Sequence, residues 1–197
     1  MTAITRRVAA LAFGAAAALA ALPAAAQEAP RVKFTTSAGD FVVEVYPDKA
    51  PKTVANFLQY VKDKHYDGTV FHRVIDNFMV QGGGYDATYA QKPTRPPVQH
   101  EGQEALAKGG PRNVVGTLAM ARTNDPHSAS SQFFINVKDN AFLDPTPQKP
   151  GYTVFGRVVG GMDVINKMKA MPTGAGGPFP SDVPKTPIVI RSAEIVK

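Results

Sequence analysis

FHRVIDNFMVQGG, residues 71–83, places an arginine among bulky apolar residues. In strand geometry Phe71, Arg73 and Ile75 share one face, because successive side chains point to opposite sides of a strand. An arginine among apolar neighbours needs a polar partner or a function, since burying an unpaired charge is costly. Amide side chains that can act as partners follow it in the sequence: Gln81, Gln132 and Asn136.

Two further stretches mix bulky apolar side chains with a few polar groups in the same way. They are GTLAMART, residues 116–123, and SSQFFINVKDNAFLD, residues 130–144. Together with the first stretch they supply more apolar surface than one wall of a barrel needs: Phe78, Met79, Phe133, Phe134, Phe142 and Leu143. Taken singly, each of these residues is also explained as part of a barrel core with an arginine at its rim. Taken together, the three stretches no longer favour that explanation.

Most of the remaining chain has the pattern of short strands and turns. Residues 31–36 and 41–46 flank the turn cluster 37–40, and the second run alternates with period two, which predicts a hairpin. Five more segments are β-rich and bounded by Gly, Pro, Asn or Asp: 69–74, 113–121, 132–137, 154–159 and 188–195. The Pro/Gly-rich residues 84–112 and 172–187 are predicted to be loops.

Two helices interrupt the strands. Pro51 suits a first helical turn, and apolar residues then recur at helical spacing as far as Val61, so the helix is expected to end near Lys64. A shorter helix is predicted from Met162 to Met168, after Gly160-Gly161. Many strands with two helices predict a mainly β fold, a closed antiparallel barrel whose open ends are covered by the helices.

The N-terminus has the pattern of a secretory signal peptide. Arg6 and Arg7 precede an uncharged apolar run from Val8 to Leu22, and small residues occupy 24–26. We expect cleavage after Ala26, which divides the chain into a signal peptide, 1–26, and one domain, 27–197, exported to the periplasm. An uncleaved anchor helix is the alternative. The paired arginines fit both the general and the twin-arginine export routes.

Composition and missing motifs exclude several classes of protein. With 44% hydrophobic and 19% charged residues, a chain of 197 residues is long enough for one packed domain. It has no cysteine, its four histidines lack metal-ligand spacing, and no nucleophile-elbow, Walker or zinc-protease motif occurs. Gly82-Gly83-Gly84 is followed by neither Lys-Ser/Thr nor a helix pattern, so it is read as structural glycine. We expect no metal and no cofactor. The net charge of +6 is not gathered into a basic run, so nucleic-acid binding is not expected.

Taken together, the motifs resemble the cyclophilin family, in the version typical of bacteria. The resemblance rests on the order and spacing of Phe71-His72-Arg73, Phe78-Met79, Gln81-Gly82-Gly83, Met120-Ala121, residues 131–135, Val154-Phe155-Gly156 and Asp182-Val183-Pro184. It covers residues 31–196. It implies an eight-stranded antiparallel β-barrel with a helix over each end, and an enzyme that rotates X-Pro peptide bonds. The implied partners are proline-containing polypeptides and folding intermediates, bound by a monomer without stable membrane association.

The resemblance also implies roles for individual residues. Arg73 corresponds to the catalytic arginine, and Phe78, Met79, Phe134 and Leu143 correspond to the apolar pocket for the proline ring. Gln81 and Gln132 are implied to support or contact the arginine and the substrate. The remaining substrate-binding positions line the groove or its rim: Ala121, Arg122, Thr123, Phe142 and Tyr152. Relatives that bind cyclosporin tightly carry Trp where this chain has Phe142, and often His where it has Tyr152, so weak cyclosporin binding is implied.

Two alternatives stay open from the sequence. One is a peptide-binding or chaperone module on the same barrel, which would keep the pocket without the catalytic arginine or its glutamine partner. The other is a hollow barrel for a small ligand, which would require inward positions that are not filled by side chains.

Overall fold

The structure is a computed structural model that describes residues 28–197, so the predicted signal peptide lies outside the described residues. The described part contains ten strands: β1 (Arg31–Thr36), β2 (Gly39–Val45), β3 (Arg73–Ile75), β4 (Met79–Gly82), β5 (Thr117–Met120), β6 (Phe133–Asn136), β7 (Val154–Gly160), β8 (Thr173–Gly176), β9 (Phe179–Pro184) and β10 (Ile190–Val196). Its helices are α1 (Pro51–Lys62), α2 (Gly102–Ala107) and α3 (Met162–Lys169), with a 3-10 turn at Ala141–Leu143.

Eight of the strands form one antiparallel sheet in the order β10-β1-β2-β7-β5-β6-β4-β3. The predicted β1–β2 hairpin is present and places Phe34 opposite Phe41. The mainly β, eight-stranded antiparallel architecture predicted from the sequence is confirmed.

The barrel closes less regularly than predicted. Its two edge strands, β3 and β10, are not joined by a continuous ladder. The barrel is closed by the irregular residues 68–71, which lie against residues 188–190. There Phe71 N donates to Ile188 O at 2.9 Å and Gly68 N donates to Ile190 O at 2.8 Å. The predicted strand at 69–74 is therefore two isolated bridges, at Thr69 and Val70, followed after a break by the three residues of β3.

The interior of the barrel is filled with aromatic rings. Phe34 stacks on Phe41 with ring centroids 4.9 Å apart, and α1 inserts Phe57, whose centroid lies 5.1 Å from that of Phe155. All four side chains are at most 1% exposed. Burying each such ring contributes roughly 1.5–3 kcal/mol. A hollow ligand-binding barrel is thereby excluded.

Both predicted helices are present and cover the sheet with their apolar faces. The first begins at Pro51 as predicted and ends at Lys62, two residues early, before Lys64 adopts the left-handed conformation at φ 54°. The second, α3, buries Ile165 and Met168.

Two predicted loops contain regular structure that the sequence pattern did not indicate. Residues 84–112 include α2, whose six residues are too few to display helical periodicity. Residues 172–187 include the separate β8–β9 hairpin, whose Gly- and Pro-rich strands have low intrinsic β-propensity. The first of these segments is fixed by the buried Glu101, whose Oε2 accepts hydrogen bonds from Thr53 N at 2.8 Å and Thr53 Oγ1 at 2.7 Å.

Candidate active site

The site lies on the outer face of the sheet, where β3, β4 and β6 run side by side. Arg73 pairs with Gln81, and Gln81 pairs with Phe134, so these three side chains form one row across the strands. The alternate residues, such as Val74, point into the core. Phe71 also belongs to the core, so its predicted common face with Arg73 and Ile75 is wrong: the regular strand begins only at Arg73.

An apolar cluster packs on the outer face next to this row. Its buried members are Met79, Ala119, Phe134, Leu143 and Val154, with Ile75, Phe78, Ala121 and Tyr152 partly buried against them. Six of these side chains line an apolar pocket: Phe78, Met79, Ala121, Phe134, Leu143 and Tyr152. Ala119 and Val154 lie beneath the pocket as packed core and do not line it. The pocket opens into a groove with a volume of about 300 Å³.

Arg73 stands exposed at the edge of the pocket. Within residues 28–197 its guanidinium forms neither a hydrogen bond nor an ion pair, and its Cζ lies 5.9 Å from the centroid of the Phe78 ring. Gln81, expected to hold the guanidinium, instead donates from Nε2 to Gln132 Oε1 at 3.0 Å. The donors of Arg73 are thus left available to a bound molecule.

Another wall of the groove is formed by Tyr152 and Phe134 and is held by Arg122. The Cζ of Arg122 lies 4.6 Å from the centroid of the Tyr152 ring, and Tyr152 meets Phe134 edge-on at 5.5 Å. The same guanidinium donates to Gly151 O and to Thr123 O, at 2.8 Å in both cases. Arg122 therefore supports the wall, and its guanidinium has fewer donors left for a bound molecule than that of Arg73.

Ten of the twelve predicted site residues line the groove, and two do not. Thr123 is exposed and hydrogen-bonds to the hydroxyl of Ser128 at 2.8 Å. Phe142 is 69% exposed and stacks on Phe78 at a centroid distance of 5.7 Å, so it lies against a residue of the groove without lining it.

Three aromatic residues of the groove were missed by the sequence analysis: His72, Tyr85 and Phe179. His72 belongs to residues 71–83, but its neighbours Tyr85 and Phe179 come from segments predicted to be loops. It is 3% exposed, and burial lowers the pKa of its imidazole from 6.5 to about 4.

A buried network of amides supports the pocket from behind. Asn140 Nδ2 donates to Phe78 O at 2.9 Å and to Asn136 Oδ1 at 2.8 Å. Asn136 donates in turn to Asn113 Oδ1 at 3.2 Å, and Asn113 donates to the buried carboxylate of Asp144 at 2.9 Å. Because Asp144 follows Leu143, the network holds two sides of the pocket together.

Comparisons with known proteins agree with this geometry. The family described as cyclophilin type peptidyl-prolyl cis-trans isomerase/CLD matches residues 31–195. Peptidyl-prolyl cis-trans isomerase cyp18 of Streptomyces antibioticus is 54% identical over 168 residues, 84% of this chain and 98% of that protein. Peptidyl-prolyl cis-trans isomerase A of Dickeya dadantii is 50% identical, covering 88% of each chain.

Solved structures have the same fold. Cyclophilin AquaCyp293 from Hirschia baltica superposes with a TM-score of 0.67 at 28% identity, over 84% of this chain and 73% of that one. A cyclophilin type isomerase of Cryptosporidium parvum gives 0.68 at 23% identity, over 86% of this chain and 98% of that one.

Proposed function

Since this chain belongs to the family of cyclophilin-type peptidyl-prolyl cis-trans isomerases, we propose that Arg73 catalyses X-Pro rotation in exported proteins. The activity itself follows from family membership: the protein is an isomerase of proline-containing polypeptides.

The reaction requires that a peptide bond lose its double-bond character. Delocalisation of the nitrogen lone pair into the carbonyl gives a barrier of roughly 18–20 kcal/mol. Isomers before proline therefore exchange only in tens to hundreds of seconds without help. Rotation breaks no covalent bond, so an enzyme needs to bind the twisted amide more tightly than either planar form.

The free guanidinium of Arg73 is the observation that carries the assignment. At the twisted state the proline nitrogen becomes pyramidal and regains its lone pair, so a nearby N–H donor stabilises that state selectively. Arg73 stays charged, presents several donors in a rigid fork, and has no partner among the described residues. A rate increase of ~10⁵ needs about 7 kcal/mol, at about 1.36 kcal/mol per tenfold.

The pocket and the glutamines take the remaining roles in this proposal. Phe78, Met79, Phe134 and Leu143 hold the proline ring by apolar contact while one side of the peptide rotates. A peptide bound in the groove covers the exposed guanidinium and displaces water from it, which strengthens its field at the reacting amide. The bond between Gln81 and Gln132 keeps two amides in place to hydrogen-bond the peptide backbone.

The place of action is part of the proposal. The apolar run and small residues before Gln27 support export to the periplasm, and the similar proteins named above include bacterial ones. Within residues 28–197, no helix is long and apolar enough to cross a membrane. We expect a monomer that acts on folding polypeptides and binds no nucleic acid. Mass spectrometry of protein recovered from the periplasm should give a chain that starts at Gln27; one that retains residues 1–26 would contradict cleavage.

An isomerisation assay tests the catalytic assignment against a peptide-binding module. The mature protein should accelerate cis-trans exchange of a short Ala-Pro peptide, and the slow proline-limited refolding of a protein substrate. A module without catalysis would bind the same peptide in calorimetry and leave its exchange rate unchanged.

A further inference from the structure

Three aromatic rings, here called the aromatic wall, form one end of the groove: His72, Tyr85 and Phe179. His72 lies 4.7 Å from Tyr85 and 5.2 Å from Phe179 between ring centroids. Tyr85 and Phe179 meet edge to face at 5.0 Å. None of the three has a part in the rotation mechanism above.

The pairing of β3 with β4 gives the position of the aromatic wall relative to the proline pocket. Ile75 pairs with Met79 at the pocket, and Arg73 pairs with Gln81 one step further along the ladder. His72 comes next along the chain, on the side of Arg73 away from Met79. An extended peptide advances about 3.3 Å per residue. A substrate with its proline in the pocket therefore reaches the aromatic wall with a side chain two or three residues away.

The hairpin that carries Phe179 is fixed in place. Gly177, at its tip, has φ 52°, and a Cβ atom there would lie 2.6 Å from Tyr89 Cβ. The ring of Phe179 also packs edge-on against Tyr89 at 6.2 Å. The aromatic wall is thus preformed, so a side chain that binds to it loses little by ordering the protein.

The chemistry of the aromatic wall is apolar and uncharged. His72 is neutral near pH 7 because burial depresses the pKa of its imidazole to about 4. Tyr85 and Phe179 remain partly exposed to the groove. No carboxylate lines the groove among the described residues, so a peptide side chain there meets ring faces and edges.

We propose that the aromatic wall is a second apolar subsite, which binds an aromatic side chain two or three residues from the proline. This inference rests on the proposed function, because the groove must hold a peptide at Arg73. Offset and edge-to-face ring pairs add about 0.5–1.5 kcal/mol to ordinary burial, which corresponds to about a two- to tenfold change.

The test compares peptides of the form Ala-Ala-Ala-Pro-Ala-Ala-Ala with four derivatives, each carrying one Phe two or three residues before or after the proline. The proteins are the mature parent, Phe179→Ala and Phe179→Leu. Tyr46→Ala is the matched control, because Tyr46 lines a different surface with Glu44 and Arg157. The quantity measured is kcat/KM, with thermal melting for every variant.

We expect one of the four Phe peptides to exceed the all-alanine peptide by about two- to tenfold in kcat/KM for the parent and for Tyr46→Ala. Phe179→Ala should abolish that preference and keep the rate on the all-alanine peptide. Phe179→Leu, which retains bulk and should fold even where Ala does not, should at least halve the preference. A parent that turns over all peptides equally, or a preference that survives both substitutions, would overturn the subsite. A parent that isomerises no peptide would instead overturn the proposed function.

Discussion

Gln81 Nε2 donates a hydrogen bond to Gln132 Oε1 at 3.0 Å, directly beside the guanidinium of Arg73, which has no hydrogen-bond partner within residues 28–197. The approach of the two amides requires a glycine at position 84, since a Cβ there would lie 2.4 Å from Gln132 Cγ. Gly84, the last glycine of the triplet read from the sequence as structural, therefore makes room for this pair. The pair fixes both amides for contact with a substrate.

We predict that Gln81 and Gln132 act as one unit. Gln81→Ala and Gln132→Ala should each lower kcat/KM about two- to tenfold, the loss expected from about 0.5–1.5 kcal/mol per hydrogen bond. The double variant should lose little more than either single one, because either change already breaks the pair. Kinetics of the four proteins on one Ala-Pro peptide measure the coupling. Fully additive losses would show that the two amides act independently.

The buried carboxylate of Glu101 is predicted to stabilise the fold. It accepts hydrogen bonds from Lys52 N at 3.1 Å and Thr53 N at 2.8 Å, at the positive end of α1. Glu101→Gln should lower the free energy of unfolding by about 2 kcal/mol, because the charge is lost and an amide NH₂ faces backbone donors. Urea unfolding measures this. Glu104→Gln, an exposed change in α2, the helix that follows Glu101, should stay within about 0.5 kcal/mol of the parent.

His72 should make stability depend on pH. Burial lowers the pKa of its imidazole in the folded protein to about 4, from 6.5 in the unfolded chain. Between these values the unfolded chain binds the extra proton, so the free energy of unfolding falls as the pH drops from 6.5 towards 4. The loss attributable to His72 is about 3 kcal/mol over this range.

The matched variant for this prediction is His72→Phe, which keeps a ring and removes the titration. Denaturant unfolding at several pH values should show a shallower pH dependence for the variant than for the parent between pH 4 and 6.5. Burial also lowers the pKa values of His65 and His100, but both are present in parent and variant. Parallel curves for the two proteins would contradict the assignment to His72.

Phe142 is predicted to limit cyclosporin binding. Its ring is 69% exposed and offers an aromatic face without a hydrogen-bond donor. Phe142→Trp adds an indole N–H at the rim and should tighten binding at least tenfold, while isomerase activity on a short peptide is retained. Calorimetry with parent and variant decides it. Equal affinities would show that the donor at this position has no effect.

Much of the fold follows from local pattern, and the exceptions have physical causes. The alternation of residues 41–46 and the apolar spacing after Pro51 were sufficient to predict the β1–β2 hairpin and α1. Both elements bury one face against the core, so their sequences show a clear periodic pattern. The β8–β9 hairpin has no such pattern. It is stabilised by contacts between Phe179 and rings distant in sequence, which no local window contains.

The site residues could be predicted where sequence motifs specify them. The prediction failed where contacts depend on side-chain geometry. The position of Arg73 beside the apolar pocket follows from the family resemblance, as does most of the pocket lining. The partner of Gln81 could not be read from sequence, since Arg73 and Gln132 are both within reach of its amide. The rings of the aromatic wall were missed because two of them belong to segments read as loops.

The most direct test of this account is the isomerase activity of Arg73→Ala, measured with Arg73→Lys and the parent. Arg73 is exposed and hydrogen-bonds to no described residue, so both variants should melt within about 2 °C of the parent. The Ala variant should lose about 2–4 kcal/mol of transition-state stabilisation, on the order of a hundredfold in kcat/KM, with peptide affinity nearly unchanged. The Lys variant should recover little, because a point charge does not replace the planar fork. A folded Arg73→Ala protein with near-parental turnover would contradict the central claim that this guanidinium stabilises the twisted amide.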